Sequence, residues 1–327
     1  MLAGISLTCF TASYAVALAL EAARMWFRSN LRGAVVLAFA LAGLAAHTLF
    51  LAHRAMTTAG TPLSSEFDWY LIAGWSLAAV YLMWTLGQFR APAERRTALG
   101  LFVLPVILGL VAAAHFFASR DALPLERALG IWVVIHLVLL VTGLVSVLIG
   151  FVAGLMELMQ AHRLKSKFSP RSALKLPSLE WLERTSLRTL YTSFVLFGLG
   201  LITGLFLNYI AGQFSWGDIA VWRLMAVFVW QTAVVMFVSF YRPARQGRKV
   251  AYLAVASAIV VLISLGLGLA LPSNHGAPMR STQTETQTDA PYISLSPGLS
   301  VFLSRLPSRP SSRSVTFRSS LDSGAHA

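Results

Sequence analysis

Four of the seven histidines in this 327-residue chain, His47, His53, His115 and His136, lie in or beside long apolar runs. Imidazole is a common ligand of metals and of haem iron. Two imidazoles from different helices can hold one iron between them. The competing role for each is a hydrogen bond to a neighbouring helix. No HExxH and no Cys/His spacing is present, which disfavours a zinc hydrolase. The single cysteine, Cys9, excludes an internal disulfide framework and cysteine-rich zinc or iron–sulfur sites.

Arginines and tryptophans surround these histidines in sequence. Arg54 follows His47 by seven residues, which places both on one helical face if the helix continues that far. Arg120 and Arg127 flank the same surface, and Arg223 lies just inside a later apolar run. Guanidinium forks fit carboxylates bidentately and so suit the propionates of a haem; headgroup contact or snorkelling is the competing reading. Trp132 precedes His136 by one turn and would stack beside anything that His136 binds. Phe214-Ser215-Trp216-Gly217-Asp218, with Trp222 six residues after Trp216, is either an interfacial anchor or a flat platform for a planar ligand.

The elements that must position these residues are membrane helices. The chain is 57% hydrophobic and only 12% charged, against about 25% charged in soluble domains, and its mean hydropathy is +0.69. A bilayer core of ~30 Å needs about 20 helical residues. Eight runs qualify: Leu2–Ala23, Gly33–Ala52, Trp69–Leu86, Leu99–Ser119, Leu129–Met159, Leu190–Ile210, Ile219–Tyr241 and Val250–Leu271. None alternates with period 2 as barrel strands do. The fold class is therefore all-α and polytopic, with residues 1–271 as the membrane domain.

Lysine and arginine number 17 in the odd connections and 3 in the even ones. The positive-inside bias puts the odd connections in the cytoplasm and both termini outside. His47, His115 and His136 then lie toward the outer leaflet, His136 roughly 12 Å deep at 1.5 Å per residue. No basic residue precedes the first run, whereas Arg24, Arg28 and Arg32 follow it, which fits an uncleaved helix. The net charge of +13 belongs to these connections and gives no reason to expect a nucleic-acid partner. Residues 272–327 are rich in Ser, Thr, Pro and Arg and are expected to form a disordered outer tail. Gly150/Gly154 and Gly200/Gly204 fit GxxxG and predict close helix contacts.

Several segments together resemble the cytochrome c assembly family of membrane proteins, of the CcsA/HemX type. They are Ala46-His47-Thr48-Leu49-Phe50-Leu51, Pro62-Leu63-Ser64 before a span with Trp75, Leu99-Gly100-Leu101-Phe102 with Pro105, His136-Leu137, Leu176-Pro177-Ser178-Leu179-Glu180 and Gly200-Leu201-Ile202-Thr203-Gly204. The likeness extends over nearly all of residues 1–271. In the assembly branch, two outer histidines flank a WxWDxxxxW loop. His136 falls where the first would lie, and Trp216 and Trp222 keep the tryptophan spacing. Phe214 and Gly217 replace a tryptophan and the aspartate, and no second flanking histidine follows, which pulls the chain toward the HemX-like branch.

The resemblance implies an eight-helix protein of the bacterial inner membrane that delivers or retains haem b for cytochrome c maturation. Its expected partners are a ResB-like protein and apocytochrome c, and no self-contained catalytic motif is present. His136 and His47 are the expected iron ligands, Trp132, Trp216 and Trp222 would pack the ring, and Arg54 would meet a propionate. Within the same resemblance, a HemX-like adaptor would instead act through the cytoplasmic Arg163–Arg184 loop on haem-biosynthetic enzymes. A solute transporter would call for charged or broken helices at mid-membrane, and the spans show few.

Overall fold

A computed structural model describes residues 7–23, 30–58, 63–89, 97–120, 130–165, 175–210, 219–241 and 248–270. These hold eight helices and no strand: α1 (Leu7–Ala23), α2 (Asn30–Thr57), α3 (Glu66–Phe89), α4 (Gly100–Phe117), α5 (Gly130–Lys165), α6 (Leu179–Ile210), α7 (Ile219–Phe240) and α8 (Arg248–Ala270). Seven are long and apolar enough to cross a membrane, and α1 is a shorter apolar helix over its 17 described residues. The chain is a multi-pass membrane protein. Its expected tail, residues 272–327, lies outside the described residues.

Hydropathy marks where lipid is, not where helices end. Helices α2, α3, α5 and α6 outrun their apolar segments, and the extensions at the starts of α3 and α6 have a local cause. At the head of α3, Ser65 and Asp68 form a capping box. The Asp68 N–H donates to Ser65 Oγ at 3.2 Å and the Ser65 N–H donates to Asp68 Oδ2 at 3.3 Å. Two orphan donors of the first turn are thereby satisfied. Helix α6 starts eleven residues before its apolar run. Ser178 caps it through the Trp181 N–H at 3.4 Å, and Arg184 donates to Glu180 one turn on at 2.5 Å. Both pairs of interactions suit a helix turn in water. At 36 residues, α5 spans about 54 Å and so projects well beyond a ~30 Å core.

The helices pack as two groups of four. Helix α1 packs on α2 and α4, α2 on α3, and α3 on α4. In the second group α5 packs on α6 and α8, α6 on α7 and α8, and α7 on α8, while α3 and α4 meet α5 between the groups. The main core runs through Phe10, Tyr14, Leu71, Leu77, Leu104 and Ile107 and continues across α5 at Leu148, Val152 and Met156. Gly154 brings α5 against the α8 backbone, where a Cβ would lie 2.9 Å from the Ala251 carbonyl oxygen. Exposed Val138, Leu199, Ile202, Val229, Met236 and Ile263 form outer faces that need lipid rather than water.

Helices that cross the membrane in succession alternate direction. The ends of α2, α4, α6 and α8 therefore share one side with the starts of α3, α5 and α7, the side expected to be outer. The Phe67 N–H donates to the Ser119 carbonyl at 3.1 Å on that side. On the other side, the Ala98 N–H reaches the Lys175 carbonyl at 2.9 Å.

Candidate functional site

His136 occupies the second turn of α5, on the face that meets α6. Its Nδ1 lies 2.8 Å from the Gly200 carbonyl oxygen and 3.2 Å from Thr203 Oγ1. A carbonyl oxygen can only accept, so Nδ1 carries the proton and Nε2 the lone pair. An Nδ1–H anchored on a backbone carbonyl fixes tautomer and ring orientation, as it does in metal-ligating histidines. Gly204 completes the seat, because a Cβ there would lie 2.8 Å from His136 Cε1. The Gly-x-x-Thr-Gly stretch of α6, which its spacing marks only as a packing face, is thus the cradle of this imidazole.

Trp132 stands one turn before His136 and meets Phe206 of α6 edge-on, with ring centroids 5.1 Å apart. The indole is 41% exposed, leaving ring surface uncovered beside the histidine. Trp222, near the start of α7, is also exposed. Trp216 lies outside the described residues.

His47 has a different setting. Helix α2 continues ten residues past it to Thr57, which puts it about 15 Å in from the helix end. Its ring is fully buried, stacked on Phe10 of α1 with centroids 4.2 Å apart and planes 3° from parallel. Tyr14 meets it edge-on at 6.2 Å, and Gly74 of α3 lies alongside, its built Cβ 3.9 Å from Cε1. Neither ring nitrogen has a hydrogen-bond partner, and the neighbouring Tyr14 hydroxyl also has none. Buried polar atoms are nearly always satisfied; this group of three has no partner among the described residues.

The two histidines belong to separate groups of helices. The neighbours of His47 are on α1 and α3, those of His136 on α6. His115 is exposed at the end of α4, against Phe116, and His53 is half-buried on α2. No cluster of three or more His, Cys, Asp or Glu side chains suited to a metal ion occurs among the described residues.

Arg54 shares α2 with His47, and its charge is already matched. Its Nε donates to Asp68 Oδ1 at 2.6 Å and its Nη2 to Asp68 Oδ2 at 3.3 Å. The guanidinium also lies 4.8 Å from the Phe67 ring centre, and Arg120 lies 5.2 Å from the same centre. Arg54 therefore ties α2 to the capped start of α3. A separate apolar cavity of about 120 Å³ between α3, α4, α5 and α6 is lined by Tyr81, Trp84, Met156 and Trp181. It sits near the opposite helix ends, away from both histidines.

A family model described as Cytochrome C assembly protein matches residues 68–271. The matched span includes His136, its seat on α6 and Trp222; it begins after His47 and Arg54. No curated protein and no solved structure gives a match.

Proposed function

This chain belongs to the cytochrome c assembly protein family and has a role in c-type cytochrome biogenesis; on that premise we propose that it holds haem b at the outer side of a bacterial inner membrane, for delivery to apocytochrome c or retention near it. The observation that carries the reading is the seat of His136, whose Nδ1 is held 2.8 Å from the Gly200 carbonyl oxygen. One imidazole oriented through a backbone carbonyl supports the reading; His47, whose ring nitrogens have no hydrogen-bond partner among the described residues, would be the second donor, from the other group of helices.

Bound haem would supply the iron and the ring that a Cys-x-x-Cys-His segment of the apocytochrome captures. The chain's own residues hold and shield. His136 presents Nε2, Gly204 keeps room for its ring, and Trp132 and Phe206 offer aromatic surface beside it. Trp222, with Trp216 of the preceding connection, would cover the other side. A second bond from His47 requires the α1–α4 group to contribute across α3 and α5. A ResB-like partner would receive or supply the haem, in keeping with the departures from the assembly branch in the tryptophan-rich connection.

The test is complementation of a strain lacking the protein, with covalently haem-stained cytochrome c as the readout. His136→Ala is expected to abolish maturation, while deletion of residues 166–174 leaves it working. The reverse pattern would contradict haem handling and favour an adaptor acting through the cytoplasmic loop.

A further inference from the structure

Arg223, expected at the outer side, leaves most of its hydrogen-bonding capacity unused. It lies in the second turn of α7, half-buried, with Nη1 donating to the Ser264 carbonyl of α8 at 3.4 Å, the long limit for such a bond. Its Nε is buried without a partner. A guanidinium carries five N–H donors, so most of these are unspent. Arg54 and Arg184 have carboxylate partners; no carboxylate among the described residues pairs with Arg223.

The fold makes room for this guanidinium. Position 268 of α8 is glycine, and a Cβ there would run into Arg223 Nη1. An arginine one turn inside a membrane helix can snorkel outward to the headgroups; this one lies against Gly268 and Ser264 of α8. Tyr70 of α3 lies within electrostatic reach of both Arg223 and Glu66. A half-buried cation with spare donors at a membrane helix end is costly unless an anion meets it.

We propose that Arg223, seated by Gly268 and Ser264, is an oxyanion-binding residue at the outer ends of α7 and α8. The guanidinium takes two oxygens of a carboxylate or phosphate through its planar fork. That chemistry has two sources here, a haem propionate and a phospholipid phosphate. The first source rests on the haem reading above, and the second is independent of it.

The experiment uses the full chain in phosphatidylglycerol nanodiscs, titrated with protohaem and with its dimethyl ester, and lipid retention is read by native mass spectrometry. For a propionate, Arg223→Gln weakens protohaem binding about tenfold, on the scale of one charge-assisted pair, and leaves the ester unchanged. For a phosphate, both haems bind as before and retained phosphatidylglycerol falls about tenfold. Gly268→Ala, whose methyl first meets the flexible tip of Arg223, displaces the guanidinium and gives the same loss with the fold kept. Wild-type behaviour of both variants in both titrations and in lipid retention overturns the proposal, and leaves the haem reading standing if wild-type protein binds haem. Arg223-dependent lipid retention in a protein that binds no haem overturns the haem reading and supports this one.

Discussion

His136 owes its orientation to α6 more than to its own helix. The Gly200 carbonyl accepts its Nδ1–H and the missing side chain at Gly204 gives the ring its place. Gly204→Ala is therefore expected to push the ring off that carbonyl, with an overpacking cost of about 1–3 kcal/mol and a loss of about tenfold in haem affinity. Haem titration of the purified variant measures this, and wild-type affinity would refute the seat. Asp68→Asn strips Arg54 of its bidentate partner. An expected loss of about 1–3 kcal/mol would be read as a lower midpoint of thermal unfolding in detergent. At this scale the sequence shows which residues could do chemistry and not what holds them. A backbone acceptor leaves no mark on side-chain identity, so the Gly-x-x-Thr-Gly stretch reads as a packing face and a family-like segment, not as the seat of a histidine. Arg54 likewise reads as a propionate clamp, because its ion pair with Asp68 joins residues on either side of the connection between α2 and α3.

Helix ends, more than helix middles, separate the expected from the observed elements. The apolar runs of α4 and α7 coincide with their helices to within about two residues, because those helices begin and end near the lipid boundary. Helix α6 begins eleven residues early because Ser178 caps it and charged turns are stable in water. That extension predicts a boundary in solvent access. In a Cys9→Ser background, a cysteine at Glu180 is expected to react with a membrane-impermeant maleimide added to the cytoplasmic side, and one at buried Ser193 is not; equal labelling of both would contradict it. Ser65→Ala removes the cap of α3, with an expected cost of about 1 kcal/mol, visible in the same unfolding measurement. Failure of Ser65→Ala to lower stability would show that Asp68 caps α3 without it.

Across the whole molecule, two groups of four helices meet along α3, α4 and α5, with His47 inside one group and His136 on the α5–α6 face of the other. Composition makes the polytopic class plain, because 12% charge over 327 residues leaves few ways to face water. The grouping does not show in the sequence, since lipid-facing and core-facing positions are equally apolar and only the packing separates them. The charge bias of the connections predicts that a phosphatase reporter is active when fused after Thr57 and inactive when fused after Phe89; inverted activities would turn the site toward the cytoplasm. The central claim, an oriented His136 that binds haem, is tested most directly by the absorption spectrum of the detergent-purified chain supplied with haem. The account predicts a Soret band in the wild type, a b-type pyridine haemochrome, and loss of the band in His136→Ala, with His47→Ala separating one-histidine from two-histidine ligation. A wild type without the band, or the same band in His136→Ala, would contradict it.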